Sequence, residues 1–348
     1  LRAVLRGLVK ERQALRDSVS EYSWTRFGRL HAELFQKIAT KHGFEASEEA
    51  PEDVTRQPAK IYIICHGVEA DYRGGPTTRM ALIAEYARAQ GMTVEVLAKA
   101  SELPGNDTES SVVHVFNSWP LHFTSRQLLE ANKRGYRTVY SPIALNLEGL
   151  EHYSSVMPGL AAAWQSTSST NAIPGFGSAS HRSATVYQVD PRLLPTEGVP
   201  GHFTSLRTSV AVADGVLLLS QYEQSFLTRI GCRLPHASVI DNGVDSELMA
   251  TADGSAFKSA HNLERYVLVV GRIESRKNQV AIASALASMD IPLVFIGAPV
   301  DKKYAEALKR CSGKQVLHID HIEDRQLLAS AYAGATVFLM ASWSEGAP

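Results

Sequence analysis

From Lys60 onward the chain alternates short apolar runs with helical stretches, and this alternation restricts the fold more than any other feature. "KIYIIC" reads as a buried strand, "GGPTTRMALIAEYARAQG" as a Gly-opened helix closed by Gly91, and "TVEVLA" and "SVVHVF" as further strands. "SRQLLEANKRG" reads as a helix capped by Ser125 and stopped by Gly135, with "YRTVYS" as the next strand. Continuous apolar strands joined by helices form parallel sheets covered on both faces. The rhythm resumes with "TSLRTSVAVADGVLLLSQYEQSFLTRIG" and "ASVIDNGVD", then starts afresh at "ERYVLVVGRIESRKNQVAIASALA". It continues through "IPLVFIG", "KKYAEALKRCSG", "KQVLHI" and "DRQLLASAYAGA" to "TVFLMA", where Ala335–Met340 reads as a buried parallel strand. The expected fold class is α/β, with two Rossmann-like parallel-sheet domains facing a cleft.

Between these blocks the rhythm breaks twice. Residues 44–58, "FEASEEAPEDVTRQP", are acidic, carry two Pro and read as a solvated linker. Residues 151–200 are rich in Ser, Thr, Gly and Pro and read as a long insertion within the first domain. The expected domains are therefore an N-terminal one over 59–245 and a C-terminal one over 246–348, preceded by a basic helical segment over 1–43. The chain starts at Leu1 and not at Met, which predicts that both ends were cut from something longer.

Composition narrows the partners. At 348 residues and 45% hydrophobic content the chain can bury two cores, and a net charge of −1 gives no global attraction to nucleic acid. Cys65, Cys232 and Cys311 are far apart and lack ligand spacing, so the expectation is reduced thiols and no metal site. The longest apolar runs are strand-sized, so no transmembrane helix is expected.

Four stretches stand out for their chemistry or their turns. In "VVGRIESRKNQ" a strand runs into a Gly turn followed by Arg272 and Lys277 at the opening of a helix, a place suited to a diphosphate. A solvated basic helix start is the plainer alternative, and the missing G-x-G-x-x-G counts against dinucleotide binding. Gly74 and Gly75 lie between the first strand and its helix, where the main chain is open to a phosphate or sugar, although such pairs also serve purely steric needs. In "IDNGVD", Asn242-Gly243 suits a tight turn. Finally, Glu345 sits in "SWSEGAP", between a strand end and a Gly-x-Pro turn.

In this order and at these distances, "ADGVLLLSQYEQSFLTRIG", "VIDNGVD", "VVGRIESRKNQ" and "AYAGATVFLMASWSEGAP" resemble family 4 of the retaining glycosyltransferases, which have the GT-B fold. The resemblance spans about residues 60–348. It implies that Arg272 and Lys277 neutralise the donor diphosphate, with no metal required. It implies that Glu345 is the first of two Glu separated by seven residues and lies near the donor sugar, the second falling beyond Pro348. Gly74 and Gly75 match the family's glycine loop, and His321 and Ile322 occupy the stretch where relatives hold the base.

One departure bears on the acceptor side. Where many relatives place a His after the fourth strand, this chain has Ser141-Pro142. His114 lies inside an apolar strand and reads as a core residue, which leaves His152 or Asn117-Ser118 to line the acceptor site.

Residues 1–43, including Tyr22-Ser23-Trp24, resemble the closing helices of a family member, placed ahead of the first strand instead of behind the last. They are read as the tail of a preceding domain in a tandem protein, as an unrelated helical extension, or as permuted helices that close this very domain.

The function implied is retaining transfer of a hexose from a nucleotide diphosphate sugar to a glycan or lipid-linked glycan acceptor, in bacterial surface polysaccharide (O-antigen or capsule) synthesis. The implied location is the cytoplasm or the inner face of the membrane, beside a polysaccharide-assembly partner and without nucleic acid. The alternative is a catalytically silent GT-B domain that binds glycan or scaffolds an active partner.

Overall fold

A computed structural model describes residues 23–39, 60–64, 75–105, 108–146, 200–313 and 315–346. The expected linker, the expected insertion, Gly74 and His152 lie outside them. The described residues up to Ser246, with Gly346, form one compact unit, and those of Glu247–Glu345 form a second.

In the first unit the elements run α1 (Trp24–Ala39), β1 (Lys60–Ile64), α2 (Gly75–Ala89), β2 (Thr93–Leu97), β3 (Ser111–Phe116), α3 (Phe123–Lys133) and β4 (Arg137–Ser141). Then follow α4 (His202–Val212), β5 (Gly215–Leu218), α5 (Gln221–Arg229) and β6 (Ala237–Val239); α6 (Ser246–Thr251) starts at the boundary and lies in the second unit from Glu247 on. The six strands are all parallel, in the order β2-β1-β3-β4-β5-β6. The right-handed crossovers expected of βαβ units put helices on both faces. Alternate strand residues accordingly enter two cores. Tyr62, Val113, Val115, Tyr140 and Leu218 pack with α3, α4 and α5, whereas Ile61, Ile63, Val112, Phe116, Val139 and Leu217 pack with α1 and α2.

The helix start near Ser125 differs from expectation. α3 opens two residues earlier at Phe123, after a left-handed His122 with φ 65°, and the Ser125 hydroxyl donates back to the His122 carbonyl. At α5 the local code holds, because Ser220 accepts from the Glu223 amide at 3.2 Å as an N-cap. The Glu223 carboxylate is fully buried and takes the Leu219 and Ala144 amides, each at 2.6 Å. Burial pushes its pKa up to about 7 against these hydrogen bonds and the charge of Arg79.

Of the amino-terminal segment, α1 is described, and it packs on this unit's own sheet. Phe27, Leu34, Phe35 and Ile38 are buried in the same core as β1, β3, β4 and β5. A Cβ on Gly28 would lie 2.6 Å from Tyr86 Cβ of α2, so the two helices approach at this residue as only Gly allows. Ser23 bridges in parallel to Val244. This packing fits the reading in which the segment closes this unit's own sheet.

Buried polar groups lie under α1. Arg79 of α2 is buried, donates to Asn242 Oδ1 and the Ile240 carbonyl, and stacks 5.1 Å from the Phe27 ring. His31 Nδ1 lies 2.8 Å from the Phe27 carbonyl, and His114 Nε2 lies 2.8 Å from Ser141 Oγ. Burial and the charge of Arg79 bring His31 down to about 3, and burial likewise holds His114 well below the ordinary range. Both rings are neutral core groups, as expected for His114, and Ser141 is equally buried.

The second unit runs α7 (Ser255–His261), β7 (Val267–Val270), α8 (Gln279–Leu286), β8 (Leu293–Ile296), α9 (Lys302–Cys311), β9 (Val316–Ile319), α10 (Arg325–Gly334) and β10 (Val337–Phe338). Its four parallel strands are ordered β10-β7-β8-β9. The last strand is shorter and more exposed than expected. Among the described residues β10 has only β7 as a neighbour; a further backbone bond runs from the Leu339 amide to the Leu268 carbonyl at 2.8 Å, and Phe338 and Met340 stand more than two-fifths exposed.

Candidate functional site

In a parallel sheet every strand delivers its following loop to the same edge, and ligands of open α/β sheets bind at that carboxyl edge. The strand order of the second unit sets four such loops side by side: Glu345 beyond β10, Arg272 to Lys277 after β7, Gly297 after β8, and His321-Ile322 after β9. Residues far apart in sequence meet here because β10 pairs with β7.

Two glycines shape the floor. Gly271 ends β7 with φ 141° and Gly297 ends β8 with φ 154°, conformations that L side chains rarely adopt. A Cβ on Gly297 would stand 2.1 Å from the Gly271 carbonyl oxygen, so the two turns touch backbone to backbone.

The cations are held by a turn, not by the expected helix opening. Ser275–Lys277 form a 3-10 turn, and a left-handed Asn278, φ 56°, separates it from α8. The turn bends Lys277 back over Gly271, whose added Cβ would meet Lys277 Cε at 3.4 Å. Fully buried Gln279 fixes the start of the turn by donating to the Arg272 carbonyl at 2.7 Å.

Five charges converge here. Lys277 Nζ lies 2.5 Å from Glu345 Oε1, and Arg276 Nη1 lies 3.1 Å from Glu345 Oε2. Arg276 also donates through Nη1 to the Ser344 carbonyl at 2.6 Å and through Nη2 to Glu274 Oε1 at 2.5 Å. Arg272 is 39% exposed and reaches Glu274 only at 3.5 Å, whereas the side chains of Arg276, Lys277 and Glu345 are 13%, 19% and 17% exposed. Burial raises the Glu345 pKa, but hydrogen bonds from Lys277 and Ser342 and the charges of Lys277 and Arg276 outweigh it, and the carboxyl stays below its usual range. Three cations against two carboxylates leave one net positive charge, with the Arg272 guanidinium outermost. Chemically the arrangement could take an anion, with an ionised carboxylate beside it.

Of the residues expected from sequence, Arg272, Lys277 and Glu345 are thus brought to one place. His321 is exposed and Ile322 half-buried, on the same edge but two strands from Gly271. Gly75 opens α2 in the first unit, exposed, with open space where a Cβ would stand. Asn117 follows β3 with φ 73°, and its neighbour Ser118 is buried. Sequence reasoning passed over Arg276 and Glu274. The available signal was the density of charge in Glu274-Ser-Arg-Lys277, which a 3-10 turn folds onto one side.

No family profile and no curated protein matches the chain. Among solved structures it is similar to sucrose-phosphate synthase from Thermosynechococcus elongatus, at 16% identity and a TM-score of 0.55 over 83% of this chain and 77% of that one. It is also similar to Anabaena HepE crystallised with UDP-glucose, at 15% identity and a TM-score of 0.51 over 82% of this chain and 74% of that one. With two parallel-sheet units of six and four strands and these neighbours, the chain has the GT-B fold, built from two Rossmann-like domains.

Proposed function

We propose that this chain is a retaining glycosyltransferase that moves a hexose from a nucleotide diphosphate sugar to a glycan or lipid-linked glycan acceptor in bacterial surface polysaccharide synthesis. The observation that carries the reading is the convergence of Arg272, Lys277 and Glu345 on the carboxyl edge of the second sheet. As the glycosidic bond breaks, negative charge grows on the departing nucleoside diphosphate. Fixed cations stabilise that charge more in the transition state than in the bound donor. Arg272 and Lys277 supply them without a metal ion, Glu345 accepts hydrogen bonds from the sugar hydroxyls, and His321-Ile322 lie beside the base. Gly74 and Gly75 form the glycine loop near phosphate and acceptor. HepE, which shares the fold, is crystallised with UDP-glucose, and that donor is the first to test.

Calorimetry with UDP and GDP on the wild type, Arg272→Ala and Lys277→Ala tests the site. Each substitution is expected to weaken nucleoside diphosphate binding at least about tenfold, roughly 1.4 kcal/mol. Unchanged affinity in both variants removes the assignment. The silent-domain alternative draws on the buried Ser141, which stands where a catalytic His was expected. It requires donor binding without turnover on any glycan acceptor.

A further inference from the structure

The five-charge cluster of the second unit divides its cations into two kinds. Lys277 meets a single carboxylate oxygen, and Arg272 stands outermost. Arg276 is different. Its side chain is the most buried of the three, and its guanidinium is taken up by Glu274, by Glu345 Oε2 and by the Ser344 carbonyl. Its own carbonyl receives the Trp343 amide at 2.8 Å, so residue 276 ties the turn after β7 to the loop after β10 through backbone and side chain together. That loop follows the short edge strand β10, whose last backbone bond to β7 is from the Leu339 amide to the Leu268 carbonyl, 2.8 Å.

A bound diphosphate would compete with Glu345 for Lys277, since both are anions seeking one ammonium group. Were Lys277 the only tether, the carboxylate would be released as the donor arrived. Arg276 would prevent this, because its planar fork engages Glu345 and Glu274 at once and also takes the Ser344 carbonyl.

We infer that Arg276 is a positioning residue for donor transfer: it keeps Glu345 and the 344–345 backbone docked on the 272–277 turn when Lys277 turns to the donor diphosphate, leaving Glu345 Oε1 to the sugar. The inference rests on the donor-site reading above for its consequence in turnover, but the docking itself is a property of the ligand-free protein.

The test compares Arg276→Gln, Arg276→Lys and Lys277→Ala in the full chain, in two arms. Without ligand, amide hydrogen exchange is followed by mass spectrometry over a peptide containing residues 341–346. Arg276→Gln is expected to speed exchange there at least tenfold while Lys277→Ala changes it less than threefold. With ligand, UDP affinity is measured by calorimetry and turnover with UDP-glucose and a panel of nucleotide sugars. Arg276→Gln is expected to keep UDP affinity within threefold and lose at least tenfold in kcat, with Arg276→Lys recovering part of both kcat and protection. Unchanged exchange in Arg276→Gln overturns the positioning role whatever the ligand results. Loss of UDP affinity equal to that of Lys277→Ala overturns it too, making Arg276 a direct ligand. If the wild type binds no nucleoside diphosphate, the donor-site reading fails, and the exchange arm still decides whether Arg276 docks the loop. Should Arg276→Gln not fold, Arg276→Lys carries both arms, with smaller shifts in the same directions expected.

Discussion

Lys277 and Glu345, 68 positions apart in the chain, form a single ion pair with Nζ 2.5 Å from Oε1. The pair exists because β10 lies beside β7, and it defines which carboxylate the donor phosphates would displace. Replacing Glu345 by Gln keeps the shape but removes the charge that competes for Lys277. UDP affinity is therefore expected to hold or rise in Glu345→Gln, while turnover with the native donor falls by at least about a hundredfold, roughly 2.7 kcal/mol. Calorimetry beside initial-rate kinetics gives both readings, and a fully active variant would remove Glu345 from the site.

Gly297 and Gly75 differ in what surrounds them: one is packed against backbone and the other opens onto space. A methyl group at 297 collides with the Gly271 carbonyl oxygen in a backbone conformation unsuited to Ala, so Gly297→Ala is expected to lower the melting temperature and the activity together. At 75 the methyl group meets open space. Gly75→Ala is expected to leave melting unchanged and to weaken donor or acceptor binding severalfold. If affinity and rate are both intact in Gly75→Ala, no ligand approaches that backbone.

Deleting residues 1–39 asks whether α1 belongs to this domain. Phe27, Leu34, Phe35 and Ile38 are all buried under it, and each contributes about 1.5–3 kcal/mol. Their sum, an upper estimate of roughly 6–12 kcal/mol, is comparable to the whole stability of a typical domain. The shortened chain is expected to lose its cooperative melt by circular dichroism. Gly28→Ala makes the same point more gently, since a better helix former should still destabilise where its methyl meets Tyr86 Cβ at 2.6 Å. A melting temperature unchanged in both variants would assign α1 to some other body.

The pH dependence of stability follows from three buried groups. His31, ordinarily near 6.5, is brought to about 3, so the folded state binds fewer protons than the unfolded one and stability falls as pH drops below 6.5. His114 acts in the same direction. Glu223, raised from 4.5 to about 7, acts in the opposite sense, so its stability contribution is greatest below 4.5 and is lost as pH rises through 7. Between pH 4.5 and 6 the two histidines outweigh the one carboxyl, and acid should destabilise. Urea unfolding across this range is expected to show a slope shallower by about 1.4 kcal/mol per pH unit in His31→Leu. In Glu223→Gln the slope should be steeper by a similar amount. A slope unaltered in His31→Leu would show that His31 is not held neutral.

The sequence by itself determined the fold class and singled out Arg272 and Lys277 as the candidate cations. Apolar runs at strand length joined by helical periods admit few solutions besides covered parallel sheets, because each strand's side chains and backbone must be satisfied on both faces. The spacing of Arg272 and Lys277 after the β7 glycine was legible for the same reason, being local to one turn. Only the tertiary structure decided what neighbouring strands bring together. That β10 lies beside β7, so that Glu345 meets Lys277 and Arg276, depends on sheet order, which no period in the sequence encodes. The inward turn of Arg276 follows from a 3-10 geometry ended by left-handed Asn278, and the docking of α1 follows from a Gly-sized contact with Tyr86. Both are packing outcomes: the same residues read as a charged surface turn and a free amphipathic helix until the surface they cover is in place.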